Sequence, residues 1–210
     1  MSHTFSAHDP SGSQRYVSLV LFVAALILSP VLLAGAKPAF PPVVSIEEAG
    51  ERHRLLLTGR TERVFFIFRV YEIAHYAELA GGSPLDPGEV VTDGRGKALM
   101  IHFQRDLGVE QIREEFDRSL RRNAQPEWLQ EARDTIASFL AAIDRGARAG
   151  DQLQFFWLDG GRLFVNFNGE RVFAASDLAF AKLIWSIWFG ADPVCDREDL
   201  LALVAPGAAL

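Results

Sequence analysis

Fourteen residues, Arg63 to Tyr76, read RVFFIFRVYEIAHY and contain neither glycine nor proline. Aromatic and β-branched residues dominate the run, so it predicts one long β-strand. Divided by parity, Arg63, Phe65, Ile67, Arg69, Tyr71 and Ile73 face one way, and Val64, Phe66, Phe68, Val70 and Ala74 face the other. Both faces are mostly apolar, so both are expected to be covered. Arg69 and Glu72 are the formal charges inside it, and Arg63 stands at its start. A guanidinium at the head of an apolar strand either pairs with a carboxylate of the protein or receives an anionic ligand.

The 210 residues, 49% of them hydrophobic, are enough for one domain with a sizeable core. A net charge of −6 argues against a nucleic-acid partner, which usually meets a basic stripe or patch. Cys195 is the single cysteine, so it forms no internal disulfide, and it reads as a small apolar filler rather than a nucleophile. His53, His75 and His102 have no zinc-type spacing. No nucleophile elbow, P-loop or dinucleotide fingerprint is present, which removes the commoner enzyme classes. No metal and no cofactor is expected.

The first segment has the order of a secretory signal. Arg15 precedes the apolar run of residues 16–33, and Ala34-Gly35-Ala36 then offers an A-x-A cleavage pattern. The run is also long enough to stay as a membrane anchor. Residues 1–36 are therefore expected to be a signal peptide or N-terminal anchor, and the domain to lie outside the cytoplasm, periplasmic or secreted. Membrane contact is expected only through an uncleaved N-terminal segment. Residues 37–44 read as a Pro-rich spacer, 45–204 as the domain and 205–210 as a tail.

Along the domain, residues 52–58 predict a short strand, and Thr58-Gly59-Arg60-Thr61 a break before the long one. Residues 81–96 carry Gly, Pro and Asp at loop spacing, and 98–103 predict another strand. Val109, Ile112, Phe116 and Leu120 recur with helical period. Pro126 then opens a second apolar face, through Ile136 and Phe139, that runs to Gly146. Strands return at 152–158, 162–167 and 171–174, the last two joined by Asn168-Gly169, a type I′ hairpin signal. Ser176 is expected to cap a helix that Gly190 closes, and 196–204 to form a last short helix. Trp185 and Trp188 read as core. The class is α+β, an antiparallel sheet with helices laid on a face.

In order, three stretches resemble the chalcone isomerase-like superfamily. The first is Leu57-Thr58-Gly59 with Arg63 and Val70-Tyr71 up to Tyr76. The second is Glu115-Phe116 up to Asn123. The third runs from Gly150-Asp151 through Asn168-Gly169 to Phe180, Ile187-Trp188-Phe189-Gly190 and Pro193. The resemblance implies an open-faced β-sandwich, a large antiparallel sheet covered by a layer of helices, with a ligand cleft between them.

That superfamily contains isomerases acting on chalcones and members that bind fatty acids without known catalysis. The resemblance maps its cleft residues onto Arg63, Tyr71, Phe116, Asn123 and Ile187. Arg63 and Asn123 keep the enzyme-type residue. Phe116 lacks a phenol and Ile187 a hydroxyl, and isomerase chemistry depends on such donors. The same changes make a cleft more apolar, as an acyl chain requires, while Arg63 and Tyr71 match the pair that receives a carboxylate in the binding members. The expected partner is thus a small amphiphilic carboxylate such as a fatty acid; an isomerase or lyase acting on a phenolic or enone substrate, and a structural domain with a filled cleft, stand as alternatives. One distance constrains the site. Eight residues of straight strand put Arg63 and Tyr71 roughly 26 Å apart, so they share a carboxylate only where the chain turns between them.

Overall fold

The computed structural model describes residues 40–79 and 85–204. Seven strands form one antiparallel sheet in which every neighbour in space is a neighbour in sequence. They are β1 (Val43–Glu48), β2 (Glu51–Phe65), β3 (Phe68–Ala77), β4 (Lys97–Phe103), β5 (Gln152–Trp157), β6 (Arg162–Phe167) and β7 (Glu170–Ser176). Four helices pack on it: α1 (Val109–Arg122), α2 (Pro126–Glu131), α3 (Arg133–Ala142) and α4 (Leu178–Phe189). The α+β class and the sheet-under-helices layout follow the sequence expectation.

The long strand does not exist as one strand. It is the end of β2, a two-residue turn at Phe66-Ile67, and β3, and these two strands pair in antiparallel register. Phe66 takes a positive φ of 55°, a conformation that hairpin turns normally assign to glycine or asparagine. The consequence for the site is direct. Arg63 and Tyr71 are register partners across β2 and β3, so their backbones lie about 5 Å apart. The expected cover on both faces also fails at this end, since Val64 to Phe68 are all exposed.

The expected break at Thr58 to Thr61 is absent as well. β2 runs straight through, with a register shift against β3 between Leu57 and Gly59. The C-terminal 3-10 turn Asp199–Leu201 crosses there, so close that a Cβ on Gly59 would stand 2.2 Å from the Asp199 carbonyl oxygen. Thr58 Oγ1 donates to the Leu200 carbonyl (2.8 Å), and Leu203 N to the Thr58 carbonyl (2.9 Å). This short turn replaces the helix expected over 196–204.

Other boundaries differ in smaller ways. β1 begins inside the stretch read as spacer. The single helix expected after Pro126 is two, separated at Ala132 (φ −90°, ψ 10°). Asp177, not Ser176, caps α4: its carboxylate accepts from Phe180 N (2.9 Å) and from Thr135 Oγ1 (2.6 Å). Gly190 ends α4 with φ −69°, so its need is space rather than a left-handed turn. A Cβ there would lie 2.5 Å from the Ser186 carbonyl oxygen and 2.6 Å from Asn123 Oδ1. The Asn168-Gly169 turn has positive φ at both residues, as its sequence predicts.

One core lies between the sheet and the helices, with Ile73, Leu99, Ile101, Phe155 and Val165 below and Leu120, Phe139, Phe180, Ile184 and Trp188 above. The opposite face carries a second cluster, in which Val44 and Ile46 of β1 pack with Tyr76, Phe156 and Phe164. The sheet curls, so that Arg171 of β7 reaches Glu48 of β1 (2.8 Å) across it. The signal or anchor expected over 1–36, the rest of the spacer to residue 39 and the tail 205–210 lie outside the described residues. Among the described residues, no helix is long and apolar enough to cross a membrane.

Candidate functional site

A cavity of about 320 Å³ opens between the sheet and α1, within the usual size of small-molecule sites. Its floor is Val70, Tyr71, Ile101, Phe103 and Leu153 from β3, β4 and β5. Its roof is Ile112, Phe116 and Ser119 from α1 with Ile187 and Trp188 from α4. Charged groups gather at the rim: Arg63, Arg105 and Arg118 against Glu114 and Glu115. The wall is apolar and the mouth ionic, an amphiphilic division.

Four of the five residues expected to face a ligand, Arg63, Tyr71, Phe116 and Ile187, line this one cavity. Asn123 does not. It is the C-cap of α1, and its side chain clamps the loop after α4, accepting from Asp192 N (2.7 Å) and donating to the Asp192 carbonyl (2.8 Å). Arg122 adds a bond to the Asp192 carboxylate (2.6 Å). The geometry makes Asn123 a fastener between helices.

Arg63 is held on one side only. One guanidinium nitrogen donates to the Val194 carbonyl, and another stands 3.9 Å from Glu115 Oε1. Glu115 is more closely engaged by Arg118, at 2.7 Å. The Arg63 side chain keeps 22% of its surface exposed. A backbone carbonyl fixes the position of the guanidinium without neutralising it, and an acid at 3.9 Å is beyond direct hydrogen bonding. Arg63 therefore retains charge and donors for an anion.

Tyr71 supplies a neutral donor beside it. Its hydroxyl accepts from Trp188 Nε1 (3.1 Å), which leaves its own proton to give. Burial raises its pKa well above the ordinary phenol range, the Cys195 thiol adds to this, and Trp188 and Arg63 oppose it only in part. The phenol stays protonated: it can donate to a carboxylate, and it is not a phenolate base. The Cys195 thiol is pushed up to about 12, by burial above all, and so is no nucleophile.

Phe116 forms the rear wall. Its ring meets Phe139 edge-on at 5.3 Å and Phe155 at 5.9 Å. Behind it lies a smaller cavity of about 50 Å³, bounded by Phe139, Ile143, Phe167 and Phe173, which also touches Phe103, Ile112, Phe116 and Leu153. Phe116, with Phe103, Ile112 and Leu153, lines both apolar spaces and stands between them.

Several lining residues escaped the sequence reading. Ser119 lies three positions after Phe116, on the same side of α1, and the helical period contained that signal. Arg105 and Phe103 carried none, because only the pairing of β3 with β4, Tyr71 opposite Phe103, brings them beside the site. Among the described residues, no group of His, Cys, Asp and Glu side chains could hold a metal ion.

The comparisons with known proteins agree with this architecture. A family model described as chalcone isomerase-like matches residues 39–201. The fold is similar to the crystal structure of a fatty-acid binding protein of Arabidopsis thaliana, with a TM-score of 0.55 and 15% identity over 75% of this chain and 96% of that one. At this identity the likeness is one of fold. No curated protein matches the chain. The match to the family spans the sheet and the four helices of the described residues, and with the ordered sequence features it settles the relationship: the chain belongs to the chalcone isomerase-like family.

Proposed function

We propose that this protein is a non-catalytic carrier that holds a fatty acid, or a similar amphiphilic carboxylate, in the cavity beneath α1. The observation that carries the reading is the pairing of Arg63 with Tyr71 at the head of an apolar pocket. A guanidinium and a neutral phenol give a carboxylate charge-assisted bonds plus one more donor, and Phe103, Ile112, Phe116 and Leu153 receive the chain. Each buried methylene contributes about 0.8 kcal/mol. The similar fold of a protein named for fatty-acid binding supports the same reading.

Catalysis of the isomerase kind is disfavoured by the residues present. Phe116 and Ile187 offer no hydrogen bond, and Asn123 is engaged at the helix end with Asp192. The extracytoplasmic location, which rests on residues 1–36, belongs to the proposal; fractionation of cells with N-terminal sequencing of the mature protein tests it.

The experiment for the ligand is native mass spectrometry of the purified protein with titration of a fatty acid. A bound acyl carboxylate, with Kd weakened at least tenfold in Arg63→Ala, is expected, since a hydrogen bond to a charged group contributes about 1.5–3 kcal/mol. A protein that takes up no fatty acid, or an Arg63→Ala variant that binds as well as the parent, overturns the reading. A chalcone panel assayed by absorbance is expected to show no turnover.

A further inference from the structure

Among the described residues, the most anomalous surface is the turn between β2 and β3. Val64, Phe65, Phe66, Ile67 and Phe68 are five consecutive apolar residues and all are exposed, Phe66 and Ile67 by 85% and 86%. Scattered exposed apolar residues need no explanation, but a contiguous cluster does. Folding does not supply one. Phe66 holds a positive φ, the conformation that disfavours a bulky side chain most. Its ring meets only its neighbour Phe65, edge-on at 4.7 Å, among the ring contacts of the described residues. A glycine or asparagine would make this turn with less strain, so neither turn chemistry nor core packing accounts for a phenylalanine here.

The shape of the tip narrows the choice of occupant. Phe65 and Phe68 are register partners and share one face, Val64 and Arg69 share the other, and Phe66 with Ile67 form the end. A flat partner surface would cover one face and leave the other wet. A medium that surrounds the tip covers all of it. Charge points the same way. Arg105 lies over the Phe68 ring at 5.1 Å, and Arg69 is exposed on the hairpin, bonded to Glu62 at 3.1 Å. With Arg63 and Arg118 at the rim, the tip and mouth carry four arginines against Glu62, its register partner Glu72, Glu114 and Glu115. The region is thus neutral on a chain whose net charge is −6, and the charges against the exposed rings are cationic, Arg69 next to Phe68 in the chain and Arg105 over its ring. Aromatic residues backed by arginines are the composition of a membrane-interface anchor.

The tip is also continuous with the cavity. Phe65 is half exposed and lines it, as do Val70 and Arg105. We infer that the β2–β3 hairpin tip inserts into the interfacial region of an anionic lipid bilayer and sets the cavity mouth against it, so that the acyl ligand passes between membrane and pocket without crossing water. The inference rests on the lipid-binding reading for its purpose, and its physical core, insertion of the tip, stands apart from that reading. It gives the domain a membrane contact other than the N-terminal segment.

The test uses the full chain carrying Ile67→Trp, mixed with vesicles of equimolar phosphatidylcholine and phosphatidylglycerol. The emission of the new indole, taken as the difference from the parent protein, is expected to shift to the blue when the vesicles are added and to be quenched by acyl chains brominated near the headgroup. Pure phosphatidylcholine or high salt is expected to weaken the effect several-fold. An unchanged signal while the chain is on the vesicles means that another segment holds it, and overturns the inference. A blue shift without vesicles that grows with protein concentration, with a dimer in sedimentation, assigns the tip to a second copy and overturns it too.

A second variant separates this claim from the ligand reading. Phe66→Ser with Ile67→Ser is expected to keep the parent's Kd for a fluorescent fatty acid and its melting temperature, yet to transfer that ligand to vesicles about tenfold more slowly. Equal transfer rates overturn the role in delivery. Failure of both proteins to bind the fatty acid overturns the ligand reading, and leaves the tryptophan signal to decide insertion.

Discussion

Arg63 is anchored by a backbone carbonyl and faced, at 3.9 Å, by a carboxylate that already belongs to Arg118. A lipid carboxylate arriving at Arg63 meets Glu115 as a like charge. Glu115→Gln removes that repulsion and leaves the Val194 bond in place, so fatty-acid Kd is expected to fall, by up to about fivefold for a half-exposed pair. A titration in which the variant binds more weakly would make Glu115 a positioning group for the guanidinium instead. His75 supports a different prediction. It is fully buried, its Nδ1 lies 2.7 Å from Thr58 Oγ1, and its ring meets Phe189 edge-on at 4.8 Å. Burial above all, with Lys97 assisting, holds its pKa well below the ordinary imidazole range. The unfolded chain then binds a proton below pH ~6.5 that the folded chain refuses. Its stabilising effect is complete above that pH and is lost as pH falls, by up to about 1.4 kcal/mol per unit. Chemical denaturation between pH 7.5 and 5, on the order of those values, should show the loss, and His75→Gln should flatten the slope. An equal slope in both proteins would place the proton elsewhere.

At the scale of elements, the C-terminal turn fixes β2, and Gly59 is what lets it approach. A Cβ at Gly59 has no room against the Asp199 and Leu200 backbone, so Gly59→Ala is expected to lower stability by about 1–3 kcal/mol, as overpacking does. Gly108→Ala is the control: φ is −71° and nothing lies within 4 Å of the added carbon, so the modest capping loss at this N-cap, about 1 kcal/mol at most, is offset by the stiffer unfolded chain. A denaturant midpoint that moves equally for both would remove the claim of close approach. The same elements show what was legible beforehand. Composition and period disclosed the strands β4 to β7, α1 and the Asn168-Gly169 turn, because each used residues suited to its conformation. The β2–β3 hairpin was hidden because its turn is Phe66-Ile67, aromatic and β-branched, with no Gly, Asn or Pro to mark it. The division at Ala132 was hidden for the opposite reason, since alanine is the best helix former and gives no sign of a break. The candidate site was half legible. Arg63, Tyr71, Phe116 and Ile187 followed from the resemblance, but the contact of Arg63 with Tyr71 depended on the unmarked turn.

For the molecule as a whole, the sheet, the helices and two adjoining apolar spaces predict how affinity varies with ligand length. The main cavity of about 320 Å³ and the space of about 50 Å³ share Phe103, Ile112, Phe116 and Leu153 as lining, and these side chains divide them. While an acyl chain is filling the first space, each added methylene should lower Kd about fourfold, the equivalent of about 0.8 kcal/mol. The gain must stop when the chain meets Phe116, because the ring is wedged against Phe139 and Phe155 and cannot withdraw without losing both contacts. Phe116→Ala joins the two spaces, so the plateau should move to longer chains even as stability falls by about 3–5 kcal/mol at most for the lost ring. The comparison is therefore made on ligand-induced stabilisation, RT ln(1 + [L]/Kd), which is about 2.7 kcal/mol at a hundredfold excess over Kd and subtracts each variant's own baseline. Saturated fatty acids of increasing length, tested by thermal shift on the parent and on Phe116→Ala, should give two rising series that level off at different lengths. A parent series without a plateau would mean that the chain leaves by the mouth rather than ending at the ring, and identical plateaus would mean that the second space lies off the path of the ligand.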